Sequence, residues 1–353
     1  MHTSLAAEGS EAVSPAQLAA LVGRQIVRCT PLPGGRNNRV YRVVCDDGRV
    51  YAVKQYYASA ADTRDRLGTE VAALQLLWQH GIRCVPRPLA MDRASGLAVY
   101  TYVAGRPIPP HAVTPGDIDA AVAFLWRLRE LYRRLPSPAW APASEACFSG
   151  AAVVANLTGR LARLLAVPSA DPATVALQAF LQDSFLPAFY ALTARATAGA
   201  GEAFTDELPL PARTLSPSDF GFHNARRTRA NRLVFLDFEY FGVDDPAKLI
   251  CDFLLHPAMA LAAESKRAFL SKALAAFADL PGLATRVRYL YPLFGLKWCL
   301  ILLNEFVPAE RARRRFAQGA ACLGEAYRRQ QLAKAERLLR SLVHAEPLTL
   351  LDR

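Results

Sequence analysis

The sequence predicts an α+β protein in two lobes: a small antiparallel sheet carrying one helix, then a larger and mainly helical part. Between residues 25 and 103, β-branched and aromatic residues gather in short runs separated by turn residues. One stretch with helical spacing interrupts those runs. Beyond residue 104 apolar residues recur at helical spacing, and Ala, Leu and Arg, all good helix formers, dominate.

Residues 1–24 read as a helical extension, in which Ser14 caps and Pro15 opens a helix running to about Leu21. Residues 25–103 read as β-β-β-α-β-β. The strands fall at 25–31, 39–45, 49–57, 87–91 and 97–103, with Asp46-Asp47-Gly48 turning the second into the third. The helix covers 62–80, repeats Leu67, Val71, Leu74 and Leu77 on one face, and ends at Gly81. Gly105, Pro107, Pro109 and Pro110 then break the chain. In residues 104–353, Thr114 caps a helix with Pro115 at its first position, running to about Leu135. Further helices are expected at 153–165, 173–198, 262–276, 286–306 and 310–344. The segment 214–245 interrupts them, loop-like at first and strand-like at 233–238.

The chain has 353 residues, 52% hydrophobic and 21% charged. That suffices for one large core or two smaller ones and excludes a disordered protein. The first 23 residues lack a basic start followed by an apolar run, so no targeting signal is expected. The most apolar long stretch, 289–307, contains Lys297, Asn304 and Glu305 and reads as a buried helix, not a membrane span. Seven scattered cysteines, with no C-x-x-C pair, read as inert buried thiols in a reducing cytoplasm and give no zinc site. The net charge of +11 is compatible with an anionic substrate, a membrane surface or nucleic acid. The basic residues are spread out, however, and no aromatic-interleaved stripe accompanies them. They read as solvated helix faces, and nucleic acid is not an expected partner.

Chemistry concentrates in two places. Asp219 and Asn224 stand in a D-x-x-x-x-N spacing, and Asp237 follows thirteen residues after Asn224. Phosphoryl transfer needs these types: one carboxylate to take or orient the proton of an attacking hydroxyl, and a carboxamide oxygen and second carboxylate to hold Mg²⁺ on the phosphates. A strand ending at Asp237 would hold it beside the loop. Alone, the spacing fits a capped turn equally well. In the first lobe, Lys54 lies in Ala52-Val53-Lys54 on the third strand, and Glu70 lies sixteen residues on in the helix. A strand lysine and a helix glutamate can pair to place the ammonium on the α- and β-phosphates. Alone, they are two surface charges. The loop Gly34-Gly35-Arg36-Asn37-Asn38 offers backbone N–H groups and short polar side chains that can cap phosphates.

These signals fall in the order and on the element types of a known family. The chain resembles the aminoglycoside phosphotransferase and choline kinase-like family, small-molecule kinases of the protein-kinase-like fold. Gly34, Gly35, Asn38 and Tyr41 match its G-G-x-x-N-x-x-Y loop, Asp237-Phe238-Glu239 its D-F-E, and Asp244-Asp245-Pro246 with Asp252 its G-D-P…D pattern. The match is good over about 25–105 and 205–260. An activation segment of the A-P-E kind is absent, which disfavours a protein kinase, and no P-loop occurs.

The resemblance implies a nucleotide-binding lobe at 25–103 and a catalytic loop at 214–245. It implies Asp219 as base, Asn224 and Asp237 as Mg²⁺ ligands, and Lys54 with Glu70 as the phosphate-binding pair. Thr101-Tyr102-Val103 looks like the hinge, where the Thr101 carbonyl and Val103 N–H would read a purine. ATP or GTP is the implied co-substrate and a small-molecule hydroxyl the acceptor. Pro217 departs from the family's H-G-D, whose histidine holds the loop. That departure leaves open a degenerate kinase fold that only binds nucleotide or a partner. His223, four residues after Asp219, reads as a loop-packing histidine.

Polycationic acceptors need a carboxylate-rich cleft. Besides Asp219 and Asp237, only Glu239, Asp244 and Asp245 lie near in sequence, and Asp244-Asp245-Pro246 reads as a turn. Arginines are plentiful: 226, 227, 229 and 232 after Asn224, then 311, 313–315, 328 and 329 in the last helices. The acceptor is therefore expected to be neutral or anionic, such as a sugar or a phosphorylated or carboxylated metabolite.

Overall fold

Strand alternation in the first lobe separates two kinds of side chain. The computed structural model describes residues 13–33, 35, 37–59, 62–136, 140–318 and 324–344. After helix α1 (Pro15–Val22) come β1 (Ile26–Leu32), β2 (Arg39–Cys45) and β3 (Val50–Gln55), then α2 (Arg66–Gln79), β4 (Pro88–Asp92) and β5 (Leu97–Thr101). The five strands form one antiparallel sheet in the order β1-β2-β3-β5-β4. Val43, Val53, Leu97 and Val99 point to one face and bury Leu18 of α1. Lys54, next to Val53, therefore points to the other face, where α2 lies.

Below the sheet, β6 (Gly105–Arg106) precedes α3 (Pro115–Arg134), α4 (Gly150–Leu165), α5 (Pro172–Phe180) and α6 (Leu186–Ala200). Four short strands follow: β7 (Thr214–Ser216), β8 (Ala225–Thr228), β9 (Leu233–Phe235) and β10 (Gly242–Asp244). The chain closes with α7 (Pro246–Leu255), α8 (Ala263–Ala276), α9 (Leu283–Leu302), α10 (Pro308–Gln318) and α11 (Glu325–His344). β6 pairs with β8, and β8 with β9; β7 pairs with β10. These two small sheets splay out the loops between β7 and β8 and between β9 and β10. Helix α9 packs against α4, α6, α7 and α11 and forms the spine of the helical part.

Several expectations are corrected. The strand expected at 233–238 ends at Phe235, and Asp237 sits beyond it with φ of 68°, a left-handed conformation outside any strand. Asp244-Asp245-Pro246 is not a turn: Asp244 ends β10, the Asp245 side chain accepts from Ala247 N–H, and Pro246 opens α7. The helix expected at 173–198 contains a wider π turn at Leu181–Phe185, just before Pro187, which has no N–H to return to the preceding turn. The stretch 310–344 is two helices, α10 and α11. Among the described residues no single helix is long and apolar enough to cross a membrane; Leu283–Phe306 and Pro308–Ala317 pass that test only as a pair bent by 76°.

Leu18 is fully buried, so α1 is part of the first lobe's packing. Leu18→Ala is expected to cost about 2–5 kcal/mol of stability, measured as a lowered urea midpoint; a loss below about 0.5 kcal/mol, typical of surface sites, would show that α1 packs loosely.

Candidate active site

A cleft of about 810 Å³ runs between the sheet and the helices, a size suited to small-molecule binding. Asp237 lines it, and behind Asp237 lies Lys54. The ammonium donates to Glu70 Oε2 on α2 and to Asp237 Oδ1 after β9, both at 2.6 Å, and lies 3.7 Å from Glu239 Oε2. Glu70 is itself fixed. Its Oε2 accepts from the Tyr56 hydroxyl at 2.6 Å and its Oε1 from Phe238 N–H at 3.2 Å. Glu239 is held from the loop after β1: Asn37 donates to Oε1 at 2.9 Å, and Asn38 donates to Oε2. Gly35 belongs to the same loop and lines the cleft. A Cβ there would come within 2.3 Å of the Asn38 carbonyl oxygen, so only glycine lets the loop close this tightly.

One ammonium faces three carboxylates here. Burial alone would lower the Lys54 pKa, but Asp237, Glu70 and Glu239 hold it well above the usual lysine value. Burial, opposed by Lys54 and reinforced by Glu239 and Glu70, pushes Asp237 up to about 7. The cluster is short of positive charge. Asp237 keeps its side chain 32% exposed to the cleft and has a second oxygen to offer. Asn224 gives its amide nitrogen to the Asp219 carbonyl at 3.0 Å, which turns its amide oxygen outward. Its own carbonyl accepts from Leu236 N–H at 2.7 Å and ties the two loops together. Hard oxygen donors beside surplus negative charge fit a magnesium ion.

Asp219 lies in the same cleft, 31% exposed. Its Oδ1 accepts from His223 Nε2 at 3.1 Å and from His256 Nε2 at 3.2 Å. The two rings stack at 3.7 Å. Ala258 N–H donates to His256 Nδ1, which leaves the proton of that ring on Nε2, facing Asp219. Burial would raise the Asp219 pKa, but His223 and His256 hold it well below the usual carboxylate value. Asp219 is therefore ionised at neutral pH, and its Oδ2 has no protein partner among the described residues. His223 is thus a partner of Asp219 and not mere loop packing. His256 escaped sequence reading because it lies in an irregular stretch after α7, joined to Asp219 only by the fold.

The loop carrying Asp219 is held without a histidine at 217. Ser218 has φ of 67°. Its N–H donates to Ser216 Oγ at 2.9 Å, its hydroxyl to the Ser144 carbonyl at 3.2 Å, and Lys248 Nζ lies 3.3 Å from that hydroxyl. Lys248 is buried between Asp244 at 2.6 Å and Asp252 at 3.1 Å. These contacts anchor the backbone around Pro217.

The structure thus brings Asp219, Asn224 and Asp237 to one cleft, with Lys54, Glu70 and Asn38 bonded to one another through Asp237 and Glu239 behind its lining. It does not bring Thr101 and Val103 into the cleft's lining; Thr101 ends β5, and its hydroxyl accepts from Arg87 N–H. Gly34 lies outside the described residues. Glu239, Asp244 and Asp245 are all buried away from the lining. Of the arginines singled out by sequence, only Arg313 and Arg314 line it.

With this geometry in place, comparison with known proteins identifies the class. The sequence model of the phosphotransferase enzyme family matches residues 28–289, and the chain belongs to that family. By family and fold it is a small-molecule kinase with the protein-kinase-like architecture. A spectinomycin phosphotransferase solved with ADP and spectinomycin matches with a TM-score of 0.67 at 12% identity, over 94% of this chain and 98% of that one. An ethanolamine kinase of Plasmodium vivax matches with a TM-score of 0.59 at 14% identity, over 94% and 85%. The choline kinase of Streptococcus pneumoniae matches with a TM-score of 0.57 at 17% identity, over 90% and 94%. No curated protein matches the chain.

Lys248→Ala would leave Asp244 and Asp252 buried without their cation. Breaking a buried ion pair from one side costs about 3–5 kcal/mol. Denaturant titration should show a loss of that size; a change under about 1 kcal/mol would mean that water reaches the pair.

Proposed function

We propose that the protein transfers the γ-phosphate of ATP or GTP to a hydroxyl of a small neutral or anionic metabolite, such as a sugar. The observation that carries this reading is the shared cleft: Asp237, bonded to the Lys54 that Glu70 fixes, on one wall, and Asp219 with one oxygen free on the other. Asp219 takes the hydroxyl proton as the acceptor oxygen attacks the γ-phosphorus and the bond to the leaving nucleoside diphosphate breaks. His223 and His256 orient the carboxylate so that Oδ2 faces the acceptor. Lys54 places its ammonium on the α- and β-phosphates. The loop with Gly35 and Asn38 covers them. Asn224 and Asp237 would hold Mg²⁺, which supplies charge neutralisation on the phosphates.

The family supports the reaction class, and the spectinomycin phosphotransferase of like fold, solved with ADP and its acceptor, supports a nucleotide co-substrate. Pro217 does not argue for a degenerate fold, because the serine and Lys248 contacts do the work of holding the loop. The described cysteines, 29, 45, 84, 147, 251 and 299, are all free, and Cys29 is exposed, against the expectation of buried thiols; a cytoplasmic location is part of this proposal.

Asp219→Asn should lower turnover by about 10²–10⁴-fold, the contribution of a positioned base, with nucleotide affinity nearly unchanged. Mg-ATP or Mg-GTP in excess of its Kd should raise the melting temperature, and Lys54→Ala should remove most of that rise. The assignment of Lys54 fails if the variant keeps the full shift; the assignment of Asp219 fails if Asp219→Asn turns over a true acceptor at the wild-type rate.

A further inference from the structure

Apart from Asp219 and Asp237 at the reacting centre, the carboxylates that line the cleft are spent. Asp219 and Asp237 are bonded as described above. Asp62 pairs with Arg64 at 2.7 Å and with Arg66, Glu145 with Arg160 and Asn156, Asp252 with Lys248 and the Trp298 indole, and Glu310 with Arg313. Three cations of the lining are not spent. Lys297 on α9, Arg163 on α4 and Lys334 on α11 line the same cleft, and none of them makes a hydrogen bond or ion pair among the described residues. Arg163 is exposed and Lys334 half-buried. Lys297 is only 4% exposed. Burial and the Lys248 ammonium push its pKa down, while the nearby carboxylates of Asp252 and Glu145 pull the other way without restoring it.

Its ammonium lies 6.0 Å from the centroid of the Phe294 ring. A buried ammonium with no hydrogen-bond or ion-pair partner among the described residues is costly to the fold. One in the wall of a substrate cleft is a receptor for an anion. We propose that the acceptor carries a carboxylate or phosphate group besides the hydroxyl it offers, and that Lys297 binds this group deep in the cleft, with Arg163 and Lys334 at the rim. This rests on the phosphotransferase reading above and narrows it to anionic hydroxy-compounds. Positively charged acceptors would find no uncommitted carboxylate in the lining beyond the two at the reacting centre.

The test uses full-length protein and acceptor sets that share a hydroxyl and differ in one anionic group: glycerol against glycerate and glycerol phosphate, glucose against gluconate and glucose phosphate. Release of nucleoside diphosphate is expected to favour the anionic members by about 10- to 100-fold in kcat/KM, the discrimination of one charge-assisted hydrogen bond. The carboxylates and phosphates in each set show which anion fits. In Lys297→Met the preference should collapse through KM. Preference for the neutral members, or a preference unchanged in Lys297→Met, overturns the proposal.

If none of these compounds is turned over, inorganic phosphate and citrate are added to protein saturated with AMP-PNP and Mg²⁺. They should raise the melting temperature of wild type and not of Lys297→Met; equal shifts in both, or none in wild type, overturn the proposal. Absence of the AMP-PNP shift itself would instead sink the phosphotransferase reading. Lys297→Met is expected to melt no lower than wild type, since it removes an unpaired buried charge. Should it fail to fold, Arg163→Gln with Lys334→Gln replaces it in the same assays, with loss of the preference expected.

Discussion

Lys54 carries the positive charge against which Glu70, Asp237 and Glu239 are set, and stretches of chain far apart in sequence meet on it. β3 supplies the ammonium, α2 the first carboxylate, and the segment after β9 the other two. The Asn37 and Asn38 amides bring the loop after β1 to the same point. Remove the lysine and three buried or half-buried carboxylates would repel one another across the junction between sheet and helices. The cluster's deficit of positive charge favours a cation beside Asp237.

A second buried charge set stands behind the proposed base. Lys248 with Asp244 and Asp252 underlies the loop that carries Asp219, and Trp298 of α9 bonds to Asp252 and packs against His256. The position of Asp219 is thus coupled to the helical core through a few directional contacts. His223 and His256, from either side of α7, bond to the Asp219 carboxylate itself.

The fold class was legible because period-two and helical patterns are local, and the first lobe's β-β-β-α-β-β order appears almost as read. That Lys54 meets Glu70 and Asp237, and that Asp219 and Asn224 lie near them, could be anticipated from spacing because they sit on or next to regular elements. What escaped was set by tertiary contact. His256, Lys248 and Lys297 carry no motif and gain meaning only from the groups placed around them. The charge reading named the wrong residues: apart from Arg313 and Arg314, the arginines it named lie off the cleft, whereas Arg163, Lys297 and Lys334 lie on it. Asp237 shows the limit of local pattern most plainly. Its neighbours read as strand, but pairing ends at Phe235 and the residue turns left-handed to reach Lys54.

Helix α9 is at once the spine of the helical part and the floor of the cleft. The two duties constrain how this protein changes over evolutionary time. A mutation on the floor that suits a new substrate must also suit the helices packed against α9, so most such changes are removed for misfolding before their effect on specificity matters. The rim, built from surface positions on α4 and α11, carries no such burden. Drift in substrate range should therefore begin at the rim, with the floor following only when a compensating change in the core has already occurred.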